Sequence, residues 1–379
     1  LIKEEGSMDI EGIFNPERRR LALVYNKEKR KLSIGTFSLK TLFWLLILGF
    51  SLEKRAYKYL HSIGLHPELE LLIYLFAFYL LYSLVSLLSA YYEYGVERKY
   101  QLSNQTKPEW LIDEVKSLIL GLLFFFLAAR GYLYLVERFP ENWWLYYAIT
   151  AGFFILLIAF VFPVLLVPLF FKLGPYPESE LKDQLWQLVK KAGVKIDDIY
   201  EINLSSKVNA ANAAVMGLGK SRKIVLSDNL QDKYSPGEIE AVLAHELGHQ
   251  VKGDMAKNIL AEFLSLLLTL FLVFKTWPFI VSLLAYDSIY SVVTIPALSL
   301  FVSLLSWLLS PLRLSLSRRW EKEADLYAVQ LTGQGESLAR ALAKLADEAL
   351  IPLKIGIYRR LFKASHPPVR ERIEYILEK

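Results

Sequence analysis

The 379-residue sequence contains no cysteine and only five histidines. Without thiols there is no disulfide framework, no cysteine nucleophile and no cysteine-bound structural zinc, so any metal must be held by histidine and carboxylate. The absence of disulfides fits a domain facing the cytoplasm. Internal repeats, low-complexity tracts and long disordered linkers are absent, and no cleavable signal peptide is recognisable. No basic face interleaved with aromatics argues for nucleic acid. Residues 1 to 7 precede Met8 and read as an appended remnant, set aside from fold reasoning.

What is present is apolar: 54% of residues are hydrophobic and 22% charged, a balance that implies part membrane and part water-exposed domain. Runs long enough to cross a bilayer fall near 37 to 53, 70 to 92, 115 to 136, 144 to 171, 257 to 284 and 289 to 312. The fourth run contains Pro163 and Pro168, where it can kink. Arg18, Arg19, Arg20, Lys27, Lys29, Arg30, Lys31 and Lys40 precede or enter the first run, and Arg98, Lys99, Lys107 and Lys116 flank the loop after the second. Positive flanks place the N-terminus in the cytoplasm, and counting spans brings residues 172 to 256 and then Glu321 back to that side. These residues also account for the net charge of +5, which attracts anionic lipid. The resulting layout is a basic segment (1–36), four spans (37–172), a first part of an exposed domain (173–256), a two-span hairpin (257–312) and a second exposed part (313–379). The localisation expected is a multi-pass protein of the plasma or inner membrane, or of the endoplasmic reticulum in a eukaryote.

Two short runs carry the chemistry: His245-Glu246-Leu247-Gly248-His249 and Glu321-Lys322-Glu323-Ala324-Asp325. Residues four apart on a helix share a face at about 6 Å, so His245 and His249 can offer nitrogens to one metal ion. Glu246 lies beside them as a general base for water, and Glu321 is the candidate third ligand. A helix is expected here because Ser235-Pro236-Gly237-Glu238 supplies an N-cap, a proline at the first helical position and a reciprocal glutamate. Ile239, Val242 and Leu243 then follow at helical spacing. Glu323 falls on another face and is expected in solvent.

Nearer the middle of the chain, residues 178 to 192 read as an amphipathic helix ending at Gly193. Residues 199 to 204 and 223 to 227 read as strands, and Ala213 to Met216 leads through Gly217-Leu218-Gly219-Lys220 into the second as a hairpin. A free strand edge beside the metal helix can pair with an extended peptide.

These residues resemble the type I CAAX prenyl proteases, integral-membrane zinc metalloproteases with the heat-shock protease HtpX as a more distant relative. The resemblance rests on Asn212-Ala213 with Gly217, Arg222-Lys223-Ile224-Val225-Leu226-Ser227-Asp228 and the His245 run. It continues through Ser317-Arg318-Arg319 before Glu321, and Ser365-His366-Pro367-Pro368 with Arg372. Toward the N-terminus it takes in Asn15-Pro16-Glu17-Arg18, Glu97-Arg98-Lys99-Tyr100 and Asn104-Gln105-Thr106. Two features depart from the pattern: six spans where many members have seven, and Ala214 where a bulkier residue is usual.

The resemblance implies one zinc ion per chain, bound by His245, His249 and Glu321, with Glu246 as general base and later proton donor. It places Asp325 behind the ligands, one helical turn beyond Glu321, where it would orient a ligand histidine. It implies His366 as a stabiliser of the oxyanion and Arg372 as a catalytic or orienting group. Asn212, Ala213, Ala214 and Val215 would bind substrate backbone. His61 and His66 fall in the loop after the first span and are not expected as ligands, whereas Glu262, within the fifth run, is a candidate either for lining a water-filled interior or for snorkelling to the interface. The fold class expected is therefore a polytopic α-helical membrane protein with a zincin-like α+β metalloprotease domain. Its partners would be a peptide or protein substrate, prenylated where the source organism prenylates proteins, and membrane lipid. Two alternatives stay open: HtpX-like quality control of misfolded membrane proteins, and a catalytically silent scaffold or transporter, against which Glu246 argues.

Overall fold

The computed structural model describes residues 10–217, 219 and 222–379, so residues 1 to 9, which include the expected remnant at 1 to 7, and three residues of the expected hairpin turn lie outside it. Among the described residues six helices are long and apolar enough to cross a membrane. They are α1 (Pro16–Gly49), α3 (Pro67–Lys99), α4 (Lys107–Arg138), α5 (Trp143–Val161) with its continuation, α10 (Asp254–Leu283) and α11 (Ile295–Thr332). Their outward faces carry exposed apolar side chains such as Phe37, Leu45, Phe153 and Leu308, as lipid contact requires. The shared interior gathers Tyr74, Trp143, Trp277 and Leu298.

The first expected span lies in a helix that begins well before the apolar run and ends within it. The Asn15 side chain accepts from the amides of Glu17 and Arg18, and Pro16 follows at the first position, so α1 starts there and carries the basic stretch as helix. It stops at Gly49, where Ser51 takes φ +50, and the chain continues as the short α2 (Leu52–Ser62). At the end of α5 the chain passes through a π turn (Phe162–Leu166) into α6 (Val167–Phe170). Pro163, which has no amide to donate, sits inside that turn.

The exposed domain packs helices against a four-stranded sheet of order β1-β2-β4-β3, formed by β1 (Leu173–Pro175), β2 (Ile199–Ile202), β3 (Ala213–Met216) and β4 (Lys223–Ser227). β3 pairs antiparallel with β4, Ala213 opposite Leu226, which leaves its other side as a sheet edge. β2 is shorter than expected because Asn203 turns away: its side chain accepts from the Lys172 amide at 2.6 Å. α7 (Glu180–Ala192) ends at Gly193 with φ +68. After α8 (Leu230–Lys233) comes α9 (Pro236–Val251), which opens with the reciprocal Ser235/Glu238 cap. One core joins Leu185, Ile224, Leu243 and Ala328 to α12 (Gly335–Glu348) and, past α13 (Ile357–Phe362), to α14 (Val369–Leu377).

Membrane and exposed parts are joined by hydrogen bonds on one side. Arg18 donates to the backbone carbonyls of Asp347 and Glu348 at 3.1 and 2.8 Å. Asn104, in the loop between α3 and α4, donates to the Ser205 carbonyl at 2.7 Å and to Asn209 at 2.6 Å. The N-terminal part of α1 and that loop therefore lie on the same side as the sheet. His61 and His66 lie elsewhere, at the α2–α3 connection, where His61 contacts Glu70 at 3.1 Å and His66 caps α3.

Candidate metal centre

α9 carries His245 and His249, and α11 crosses it where Gly248 faces Ala324. A Cβ added at Gly248 would meet the Ala324 Cα at 3.1 Å and its carbonyl oxygen at 3.2 Å. Both are backbone atoms, so a side chain at this position would push the two helices apart by a few tenths of an ångström, and the close approach brings Glu321 over the two histidines. Glu321 Oε2 lies 3.5 Å from His245 Nε2, and Oε1 lies 3.4 Å from His249 Nε2. The three residues each offer one ligand atom, all within 4.8 Å of one another. Glu321 Oε2 is buried without a hydrogen-bond partner, as is fitting for a carboxylate that a cation completes. Gly248→Leu is expected to wedge the helices apart, at a cost of about 1–3 kcal/mol or more, and to abolish metal retention. Elemental analysis of the purified variant checks this.

Behind the candidate ligands stand two carboxylates. Asp325, fully buried, places Oδ1 2.9 Å from His245 Nδ1, a close approach rather than an aligned hydrogen bond. Arg372 grips Asp325 with two hydrogen bonds, 2.8 Å from Nε and 2.7 Å from Nη2, and Tyr375 donates its hydroxyl to the same carboxylate. The second carboxylate, Asp254, lies 2.9 Å from His249 Nδ1. Asp254 was missed in the sequence, although Gly253 with φ +69 folds the chain back at that point, and a glycine–aspartate pair just after the motif is a readable signal. Tyr375, one turn beyond Arg372 on α14, was missed as well.

The remaining candidates fall as follows. His366 Nε2 sits 3.2 Å from Glu321 Oε1, with its side chain 57% exposed and Nδ1 2.8 Å from Ser365 Oγ. Its loop is held by α11: Ser317 donates to the Ser365 carbonyl at 3.0 Å and Arg318 to the Ala364 carbonyl at 2.8 Å. Arg372 reaches Glu321 only at 3.7 Å, and both its short bonds go to Asp325, so it stands behind the reacting face. Glu323 pairs with Arg319 at 3.1 Å, and Glu262 pairs with Arg313 on the neighbouring helix. Asn212 caps the start of β3, its carbonyl accepting from the Ser227 amide at 2.9 Å, while Ala213, Ala214 and Val215 form the edge strand.

Electrostatics follow burial and neighbours. Burial depresses the basicity of His245, but the adjacent carboxylates of Asp325 and Glu321 outweigh it and hold its pKa at about 9. Metal binding at such a histidine displaces a proton. Burial pushes Glu246 above the usual carboxylate range, against the lowering pull of both histidines and Arg372. Burial opposes the charge of Arg372, yet the Asp325 carboxylate raises its pKa above the ordinary value.

A polytopic helical protein with two histidines and a glutamate converging beside a glutamate on an exposed strand–helix domain is, by class, a membrane metalloprotease. Residues 175–379 match the model of peptidase family M48, and residues 3–172 match the CAAX prenyl protease N-terminal domain, described as five membrane helices. The chain belongs to peptidase family M48. Among the described residues of 3–172 four helical spans reach membrane length, α5 counted together with α6, and α2 is a further short helix. An uncharacterised metalloprotease of Bacillus subtilis is 28% identical, with 97% of this chain and 87% of that one covered. CAAX prenyl protease 1 of Saccharomyces cerevisiae is 30% identical over 78% of this chain and 70% of its own. The crystal structure of S. mikatae Ste24p superposes with a TM-score of 0.87 at 23% identity, over 100% of this chain and 93% of that one. The scaffold or transporter alternative has no support in these matches.

Proposed function

We propose that this chain is a zinc endopeptidase that cuts membrane-associated polypeptides near a lipid-modified C-terminus, with its metal centre facing the cytoplasm. The observation that carries this reading is the convergence of His245, His249 and Glu321 next to Glu246 and to the open edge of β3. Bound there, zinc would supply a Lewis acid for the scissile carbonyl and acidify a water molecule. Glu246 is placed to accept a proton from the attacking water and would return it to the leaving amine. His366, exposed and adjacent to Glu321, donates a hydrogen bond where negative charge develops on the carbonyl oxygen. Arg372 is a positioning residue acting through Asp325, which orients His245, and Asp254 does the same for His249.

The edge strand explains how substrate is held. Asn212 faces β4 through its carbonyl, so by antiparallel alternation the next residue, Ala213, turns its amide outward, where it now bonds the Asn212 side chain at 2.9 Å. An extended substrate replaces that local bond. Ala213→Pro removes an outward donor without breaking the ladder, and it is expected to raise KM at least tenfold with metal content unchanged. Backbone pairing accepts any sequence, which favours a second reading, cleavage of unlipidated membrane proteins. One peptide compared with and without a prenylated C-terminal cysteine separates the two: dependence on the lipid supports CAAX processing, and equal rates support general membrane proteolysis. Cleavage that survives a strong chelator overturns both.

The orientation follows from basic flanks around α1 and the α3–α4 loop. Single cysteines at Glu11, Lys107 and Gln231 should react with an impermeant thiol reagent only from the cytoplasmic side, and one at Ser62 only from the other. The reverse pattern overturns the orientation.

A further inference from the structure

Where α3 ends and α4 begins, the chain leaves an open cleft of about 690 Å³ beside α1. Arg98, Lys99 and Lys107 line it, and Glu28 of α1 is its acidic residue. Lys99 is engaged with Glu28, Nζ to Oε1 at 2.6 Å, while Glu93 and Glu97 both face Lys29. Among the described residues neither Arg98 nor Lys107 forms an ion pair, so the cleft keeps two uncompensated cations. Tyr91, Tyr92 and Tyr94 supply its aromatic wall, and Tyr94 lies against Trp110 with ring centroids 5.3 Å apart. Tyrosine, tryptophan and cations gathered at the end of a span mark the depth of the lipid headgroups. Toward the bilayer centre Leu81, Leu84, Leu88 and Tyr92 recur at helical spacing, all exposed, and form one apolar stripe that leads to Gly95. A Cβ added at Gly95 meets nothing within 4 Å, so the surface of α3 is open there.

We infer that this cleft binds the phosphate headgroup of an anionic membrane phospholipid, whose acyl chains lie along the apolar stripe of α3. Arg98 offers a planar fork that matches two phosphate oxygens, and Lys107 adds a point charge at the positive end of the long α4. A zwitterionic lipid brings an ammonium group as well as a phosphate. Tyrosine rings attract that ammonium weakly, and the two unpaired cations oppose it. Free phosphate lacks the chains, and its attraction to an exposed cleft is screened by salt. The site also bears on how the exposed domain is held. Arg98 and Lys107 flank the loop in which Asn104 bonds to Ser205 and Asn209, and Ser103 pairs with Val208, a few residues ahead of the edge strand β3. One headgroup held by both cations ties the two ends of that loop together, so lipid occupancy stabilises the docked domain.

The test uses the full-length protein in detergent, titrated with phosphatidylglycerol, phosphatidylcholine or inorganic phosphate, with native mass spectrometry and the thermal midpoint as readouts. Phosphatidylglycerol is expected to stay bound and to raise the midpoint, and the other two are not. Arg98→Gln combined with Lys107→Gln should weaken phosphatidylglycerol binding at least tenfold. Arg20→Gln combined with Lys27→Gln removes the same charge from α1 outside the cleft lining and should leave binding within twofold of wild type. Gly95→Trp fills the open space without changing charge and should weaken binding at least fivefold. It decides the matter should the Arg98 and Lys107 variant fail to fold. Equal affinity for phosphatidylcholine, or an equal loss in the Arg20 and Lys27 variant, would overturn the assignment in favour of unspecific lipid or charge attraction. Stabilisation by inorganic phosphate as large as by the lipid would overturn the lipid as occupant, and unchanged binding in Gly95→Trp would overturn the cleft as its place.

Discussion

Glu246→Gln is expected to lower turnover by about 10²- to 10⁴-fold while leaving metal content at the wild-type level, because the amide keeps the shape and loses the basic oxygen. Burial raises the proton affinity of Glu246, which suits a group that must accept a proton and then give it up. Its position on α9, one residue past His245, contributes no atom to the triad of His245, His249 and Glu321. Glu321→Ala should behave oppositely and lose metal and turnover together, since it removes the only carboxylate of the three. Steady-state kinetics and elemental analysis on the same preparations distinguish the two losses. Turnover near wild type in Glu246→Gln would overturn the general-base assignment.

The second large effect concerns Arg372. Arg372→Met leaves the fully buried Asp325 without its two-pronged partner, and breaking a buried pair on one side costs about 3–5 kcal/mol. A lower thermal midpoint in detergent is the expected readout. His245 also loses a fixed neighbour at Nδ1, so metal affinity should weaken by about 10- to 100-fold. Combining Arg372→Met with Asp325→Asn removes the stranded charge and should recover part of the stability without recovering metal affinity. Recovery of both together would mean that the pair is merely a structural tie between α11 and α14.

How far these positions were readable depends on whether a local rule governs them. The α9 helix was legible from Ser235, Pro236 and Glu238, since a cap acts within one turn. The hairpin of β3 and β4 was legible from its turn glycines, and Gly217 and Gly219 indeed take φ +92 and +60. By contrast, the start of α1 was not readable from the apolar run, because charged residues that are good helix formers continue a helix beyond it, and apolar run length registers only the apolar part. The π turn at Pro163 had its proline visible but not its geometry.

By itself the sequence determined the class of this protein: apolar run lengths dictate the spans, the four-residue helical repeat sets His245 beside His249, and the lack of cysteine leaves only histidine and carboxylate to hold a metal. Those features depend on neighbours within a few residues, where periodicity and chemistry are enough. Only the tertiary structure decided that Gly248 lets α11 approach closely enough for Glu321 to meet both histidines. It alone tied Arg372 and Tyr375 to Asp325, set Asp254 behind His249 and gathered Arg98 and Lys107 at one cleft beside α1. Each of these depends on which helix faces cross, and close packing between distant segments leaves no periodic trace in either one.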